Sequence, residues 1–157
     1  MSEIRRALPQ DIPSIIALLY QVDMVHHNGR PDLFRGPATK YSADQLTAII
    51  ADEQTPVFVF ADDSGAVRGH AFCAFQQHIG DPVLTDIRTL YIDDICVDEA
   101  CRRQHIGERL FRAVLDLARS AGCYNVTLNV WACNPAAQAF YEKCGMKPRK
   151  TGMETIL

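Results

Sequence analysis

The chain has 157 residues, 48% of them apolar and 22% charged, with a net charge of −3. This is the make-up of one globular domain, long enough to bury a core and too short for two. The acidic balance argues against a nucleic-acid binder, and no run of about eighteen apolar residues reads as a membrane span. No charged start followed by an apolar core opens the chain, so the expected location is cytoplasmic.

Ile4 to Ala7 reads as a short strand. Asp11 is expected to cap a first helix, with Pro13 in its first turn and Ile12, Ile15, Ile16, Leu18 and Leu19 as its buried stripe. The polar stretch from His26 to Lys40, with its glycines and prolines, reads as a loop. Ser42-x-x-Gln45 has the form of a capping box and opens a second helix through Leu46, Ile49 and Ile50. Pro56 to Ala61, the turn Asp62 to Gly65, and Ala66 to Phe75 read as a hairpin. A loop over His78 to Pro82 leads to a long strand region from Leu84 to Val97.

A third helix is expected over Ile106 to Ala121, with Gly122 as its C-cap. Asn125 to Trp131 alternates as a half-buried strand. Asn134 and Pro135 start a fourth helix that runs to Gly145. Lys150 to Leu157 reads as a closing strand. The succession β-α-α-β-β-β-α-β-α-β is an α+β arrangement.

The six cysteines, Cys73, Cys96, Cys101, Cys123, Cys133 and Cys144, lack the Cys-x-x-Cys spacing of a zinc site. No Cys/His pattern supports a nucleophile. They read as buried thiols, and no metal is expected.

Chemistry concentrates between Tyr91 and Phe111. An apolar strand core (Ile92, Ile95, Val97) ends in a polar turn. A basic loop carrying Arg102, Arg103 and Gly107 then enters a helix directly. That order builds an anion site, because the unpaired N–H groups of a helix N-terminus point at the ligand and its dipole favours negative charge. Arg102 and Arg103 could be a solvated pair, but their place before the helix favours contact with phosphate.

Arg102-x-x-His105-x-Gly107 closely resembles the acyl-CoA pyrophosphate loop, Arg/Gln-x-x-Gly-x-Gly/Ala, of the GCN5-related N-acetyltransferase (GNAT) family. Asn134-x-x-Ala137-x-x-Phe140-Tyr141-x-x-x-Gly145-Met146 is similar to that family's second signature. His105 stands where the loop's first glycine is expected and adds a Cβ and a ring there.

The resemblance covers nearly the whole chain and is weakest from His26 to Lys40. It implies a GNAT-type fold: a mixed, mainly antiparallel twisted sheet with a splayed parallel β4/β5 pair, flanked by about four helices.

The resemblance further implies acetyl-CoA as donor and direct transfer to an amine. The pantetheine arm would pair with backbone groups of Ile95, Cys96 and Val97 like an added strand. An N–H near Ile95 or Cys96 would face the thioester oxygen. Main-chain amides from Arg103 through Gln104, His105, Ile106 and Gly107 to Glu108 would take the pyrophosphate, with Arg102 beside them. Tyr141 would donate to the departing thiolate, since a phenol stays protonated at neutral pH; read without the motif it is an aromatic packed beside Phe140. Asn134 would cap its helix close to the donor.

The acceptor must lose a proton before it attacks. Asp93 occupies the place of a glutamate used by some polyamine-acetylating members and is expected to act as base or proton-relay anchor; a surface carboxylate is the plain alternative. Strand alternation lets only one of Asp93 and Asp94 face the acceptor unless a bulge intervenes. Tyr20, His26 and His27 lie where the family builds its acceptor cleft, although two adjacent histidines are more often a solvated turn. Phe34 and Tyr41 could line a pocket or pack in the core.

The expected partner is therefore a small-molecule amine, polyamine-, amino-acid- or aminoglycoside-like, with no nucleic acid or membrane. Acetylation of a protein N-terminus or lysine is the alternative within the class, and a CoA-binding sensor without transfer activity is the alternative outside it. Homodimers are common in the family, and nothing in the sequence reports one.

Overall fold

Alternation along the strands gives the sheet two apolar faces, and helices cover each of them. The computed structural model describes residues 1–157. Its strands are β1 (Glu3–Arg6), β2 (Val57–Ala61), β3 (Val67–Gln77), β4 (Arg88–Val97) and β5 (Asn125–Leu128). Its helices are α1 (Ile12–Gly29), α2 (Ala43–Ala51), α3 (Ile106–Ser120) and α4 (Pro135–Lys143). The sheet runs β1-β2-β3-β4-β5, antiparallel throughout except for the parallel β4/β5 pair. No helix is long and apolar enough to cross a membrane.

On one face, Val57, Val59, Phe72 and Cys96 pack with Ile15, Leu18 and Leu19 of α1 and Leu46 of α2. On the other, Phe60, Ala71, Cys73, Leu90 and Ile92 pack with Ile106, Leu110, Phe111, Val114 and Ala118 of α3. The α3 residues recur at helical spacing, so burying that stripe fixes the helix against the sheet. Tyr141 and Cys144, from α4 and its C-terminal cap, pack on this second cluster.

Several expectations need correction. The loop assigned from His26 begins later, because α1 continues to Gly29 and carries both histidines in its last turn. Asp11 stands at the N-cap position of α1 but gives it no side-chain hydrogen bond: it closes a short 3₁₀ turn, Pro9–Asp11, and its carboxylate accepts from Leu8 N–H at 2.8 Å and from Arg5 at 2.7 and 3.0 Å. Lys150 to Leu157 forms no strand; it is exposed, and β1 and β5 remain the sheet edges. The cysteines are unpaired, as expected, but only Cys73 and Cys96 are buried. The strand regions expected over Leu84–Val97 and Asn125–Trp131 are also shorter, starting at Arg88 and ending at Leu128.

Candidate active site

The β4/β5 ladder stops early. Its last pair is Ile92 with Leu128, and from Asp94 to Val97 β4 is bonded only to β3. The free edge of β4 therefore presents unpaired backbone groups beside a gap, and an extended ligand can use them as a strand would.

Next along the chain lies the basic loop. Asp98 anchors its start by accepting from Ala100 N–H (3.1 Å), from Gln21 of α1 (3.4 Å) and from Arg68 of β3 (3.5 Å). Arg102, Arg103, Gln104 and His105 are exposed, and Ile106 is buried at the start of α3. Arg103 (φ 67°) and His105 (φ 58°) both take left-handed backbone conformations. His105 gives α3 no side-chain cap. The N–H groups of Ile106, Gly107 and Glu108 thus keep the unsatisfied state of a helix start, which suits the diphosphate of an acyl donor.

Gly107 is needed for a different reason from the one its motif suggests. A Cβ there would stand 3.0 Å from Cζ of Phe140 and 3.1 Å from its Cε1, so the glycine lets α4 close on α3. Glu108 strengthens that contact, pairing with Lys143 of α4 (3.4 Å) and with His105 (3.4 Å). Asn134 does cap α4, its Oδ1 accepting from Ala137 N–H at 3.3 Å.

A bulge governs the two aspartates. Phe72 pairs with Asp94 and Cys73 with Ile92, which leaves Asp93 as an extra residue. Leu90 and Ile92 point into the α3 side, Ile95 and Val97 pack there too, but Cys96 sits in the α1/α2 cluster. The added residue switches the alternation, so Asp93 and Asp94 both reach the α1/α2 side. Asp93 accepts from Lys40 Nζ at 2.8 Å on each oxygen and from the Tyr41 hydroxyl at 2.8 Å. Burial, reinforced by Asp93, pushes the Tyr41 phenol above its ordinary range. Asp94 instead meets His70, whose Nε2 lies 2.7 Å from Oδ2. Sequence reasoning missed Lys40 and His70, since neither belongs to a motif and both reach the site only through the fold.

Tyr141 approaches from the other face. Its ring packs against Phe140 and Phe111, with centroids 5.1 and 6.3 Å away. Burial raises the phenol's pKa, and the nearest cause after burial is the Asp94 carboxylate. The phenol is protonated at neutral pH and fit to donate. The Cys73 and Cys96 thiols are pushed up to about 12 by burial, which removes them as nucleophiles.

The expected acceptor residues divide. Tyr20 stands on α1 with 46% of its surface exposed. His27 is structural, its Nδ1 2.7 Å from the Phe34 carbonyl. His26 stacks on Phe34 (5.0 Å), which meets Trp131 edge-on (5.1 Å). This aromatic group joins the end of α1 to the chain beyond β5. With Lys40 and Tyr41 on Asp93, it draws the segment between α1 and α2 across the α1/α2 side of the gap.

The family model for the acetyltransferase (GNAT) family matches residues 23–146. Among curated relatives, glucosamine 6-phosphate N-acetyltransferase 1 of Oryza sativa subsp. japonica is 38% identical over 66 residues, 42% of this chain and 38% of that one. The Arabidopsis thaliana enzyme of the same name is 35% identical over 63 residues, 40% of each chain. The matches therefore span well under half of these relatives. Among solved structures, a point mutant of the BH1408 protein from Bacillus halodurans superposes with a TM-score of 0.95 at 30% identity, covering 99% of both chains. Glucosamine-6-phosphate N-acetyltransferase from Arabidopsis thaliana shares the fold, with a TM-score of 0.73 at 20% identity over 99% of this chain and 98% of that one.

Proposed function

The chain belongs to the acetyltransferase (GNAT) family, and from that premise we propose that it transfers the acetyl group of acetyl-CoA directly to the primary amine of a small molecule. Family members use acetyl-CoA, and N-acetyltransferase relatives support the reaction type. The observation that carries the reading is the parting of β4 from β5 after Ile92, with an uncapped helix start at Ile106, the Asp94 carboxylate just past the parting and Tyr141 packed on the α3 side.

In this reading the diphosphate lies on the N–H groups of Ile106, Gly107 and Glu108, with Arg102, Arg103, Gln104 and His105 around it. The pantetheine arm follows the free edge of β4 along Ile95, Cys96 and Val97. A backbone N–H at Ile95 or Cys96 donates to the thioester oxygen as it gains charge, a contribution whose loss typically costs a hundredfold or more in rate. Tyr141 donates its proton to the leaving sulfur. Asn134 holds the start of α4, which carries Tyr141. Asp93 is the anchor for the acceptor's ammonium, a position that Lys40 takes in the free protein.

A small acceptor is favoured by the segment between α1 and α2. His26, His27, Phe34, Lys40 and Tyr41 hold it over the gap, so a protein tail would have to displace several contacts at once. The amino-sugar relatives point the same way. The test is thiol release from acetyl-CoA against a panel of primary amines that includes glucosamine 6-phosphate, spermidine and an aminoglycoside. Release with at least one of them is expected. Acetyl-CoA binding without release for any amine or peptide would instead support a sensor.

A further inference from the structure

His70 lies on β3 opposite Cys96 of β4 and Val59 of β2, with none of its surface exposed. Phe72, of the apolar cluster on that face, stands edge-on to its ring at 4.8 Å. A buried imidazole is costly there unless its nitrogens are satisfied. Nε2 is satisfied by Asp94 at 2.7 Å, while Nδ1 is buried without a partner. An ionised carboxylate only accepts hydrogen bonds, so Nε2 carries the hydrogen that faces Asp94 and donates it. Packing alone gives no reason for a histidine at this position.

The bulge at Asp93 supplies one. Without the extra residue, Asp94 would share the face of Ile92 and point away from His70. With it, Oδ2 of Asp94 is held by the imidazole and Oδ1 makes no hydrogen bond. Asp93 differs: both of its oxygens are taken, by Lys40 and Tyr41. Of the two neighbours, Asp94 is the one with an oxygen that accepts no hydrogen bond, and its side chain retains 13% exposure, against 22% for Asp93.

We propose that His70 is a positioning residue for deprotonation of the acceptor, its Nε2–H fixing Asp94 so that Oδ1 takes a proton from the acceptor's ammonium. This rests on the N-acetyltransferase reading. The ammonium loses one proton to Asp94, and its nitrogen lone pair forms the C–N bond as the C–S bond breaks. The second nitrogen proton replaces the one that Tyr141 gives to sulfur. Asp94 then releases its proton to solvent. The ionisable groups around the pair are Cys96 of β4, Tyr41 with the Lys40–Asp93 ion pair, and Tyr141 of α4; Asp23 lies on α1 one turn beyond Leu19, with its Oδ2 buried. From α2 and β2 the facing residues are the apolar Leu46 and Val59.

The experiment compares wild type with His70→Phe, which fills the space without a donor, and His70→Gln, which restores an N–H. Turnover of the panel amines is measured against pH, with acetyl-CoA affinity measured in parallel. His70→Phe should lower kcat by about tenfold to a hundredfold, with KM and donor affinity nearly unchanged. It should also move the rise of kcat to higher pH or flatten it, because a donated hydrogen bond favours the ionised carboxylate. His70→Gln should recover part of both effects. If His70→Phe fails to fold, His70→Gln carries the test of the positioning role, and Asp94→Asn should give a loss of kcat at least as large. An active wild type with an unchanged kcat–pH profile in these variants overturns the role of His70 alone. A wild type that binds acetyl-CoA but acetylates no amine overturns the activity and this role together.

Discussion

Lys40 places its ammonium 2.8 Å from both carboxylate oxygens of Asp93, so a side chain of the protein holds the place we assign to the acceptor's amine. Tyr41 adds a third hydrogen bond to the same carboxylate. Lys40 is half exposed, and such pairs are worth roughly 0.2–1 kcal/mol. Lys40→Met should therefore lower the amine KM by about two- to fivefold, with kcat little changed. Asp93→Asn should raise it. Steady-state kinetics at low salt checks both. A higher KM in Lys40→Met would mean that the lysine serves to hold the segment closed.

Tyr141→Phe removes one hydroxyl and keeps the ring against Phe111 and Phe140. Stability should change little. Turnover should fall by about a hundredfold, the lower end of general acid catalysis, because a thiolate is already a fair leaving group. Acetyl-CoA affinity should stay the same. Unchanged turnover where the chemical step limits the rate would reduce Tyr141 to a packing residue.

The donor loop gives opposite outcomes at two neighbouring positions. His105 occupies a left-handed conformation, which costs a side chain roughly 1–2 kcal/mol and a glycine little. His105→Gly should raise stability by up to about 1 kcal/mol and leave acetyl-CoA binding intact. Gly107→Val should displace Phe140 and abolish most of the thermal shift caused by acetyl-CoA. Equal shifts in wild type and Gly107→Val would refute the loop assignment.

Acid stability has a local source at Asp11. Burial would raise its pKa, but Arg5 and the Leu8 N–H outweigh burial and hold it below its ordinary value near 3.8. A carboxylate depressed in the folded state contributes stability that is present above the unfolded pKa. That contribution is lost as pH falls through the folded one. Asp11→Asn should lower Tm at neutral pH and flatten the fall of Tm below about pH 4. A parallel Tm–pH curve would contradict this.

Much of the framework of the candidate site was legible because it is local. The run from Ile92 to Leu110 carries strand, loop and helix start in one continuous stretch, and Asn134 to Gly145 carries cap, aromatic pair and terminating glycine. The bulge was not legible, because it arises from the pairing of Asp94 with Phe72 and of Ile92 with Cys73 across two strands. His70 alone reads as a core residue; its meaning depends on that bulge. The last turn of α1 was hidden by His26, His27 and Asn28, polar residues that suit a loop equally well. Lys150 to Leu157 suggested a strand, but no sheet edge pairs with it.

The central claim is acetyl transfer to nitrogen, and the direct measurement follows the acetyl group itself. Protein, acetyl-CoA labelled in its acetyl carbons and the amine panel are incubated, and the products are identified by mass spectrometry. Label is expected on the nitrogen of at least one small amine, matched by free CoA, with the yield falling sharply in Tyr141→Phe. Label that remains on CoA for every amine, despite saturating donor binding, would contradict it.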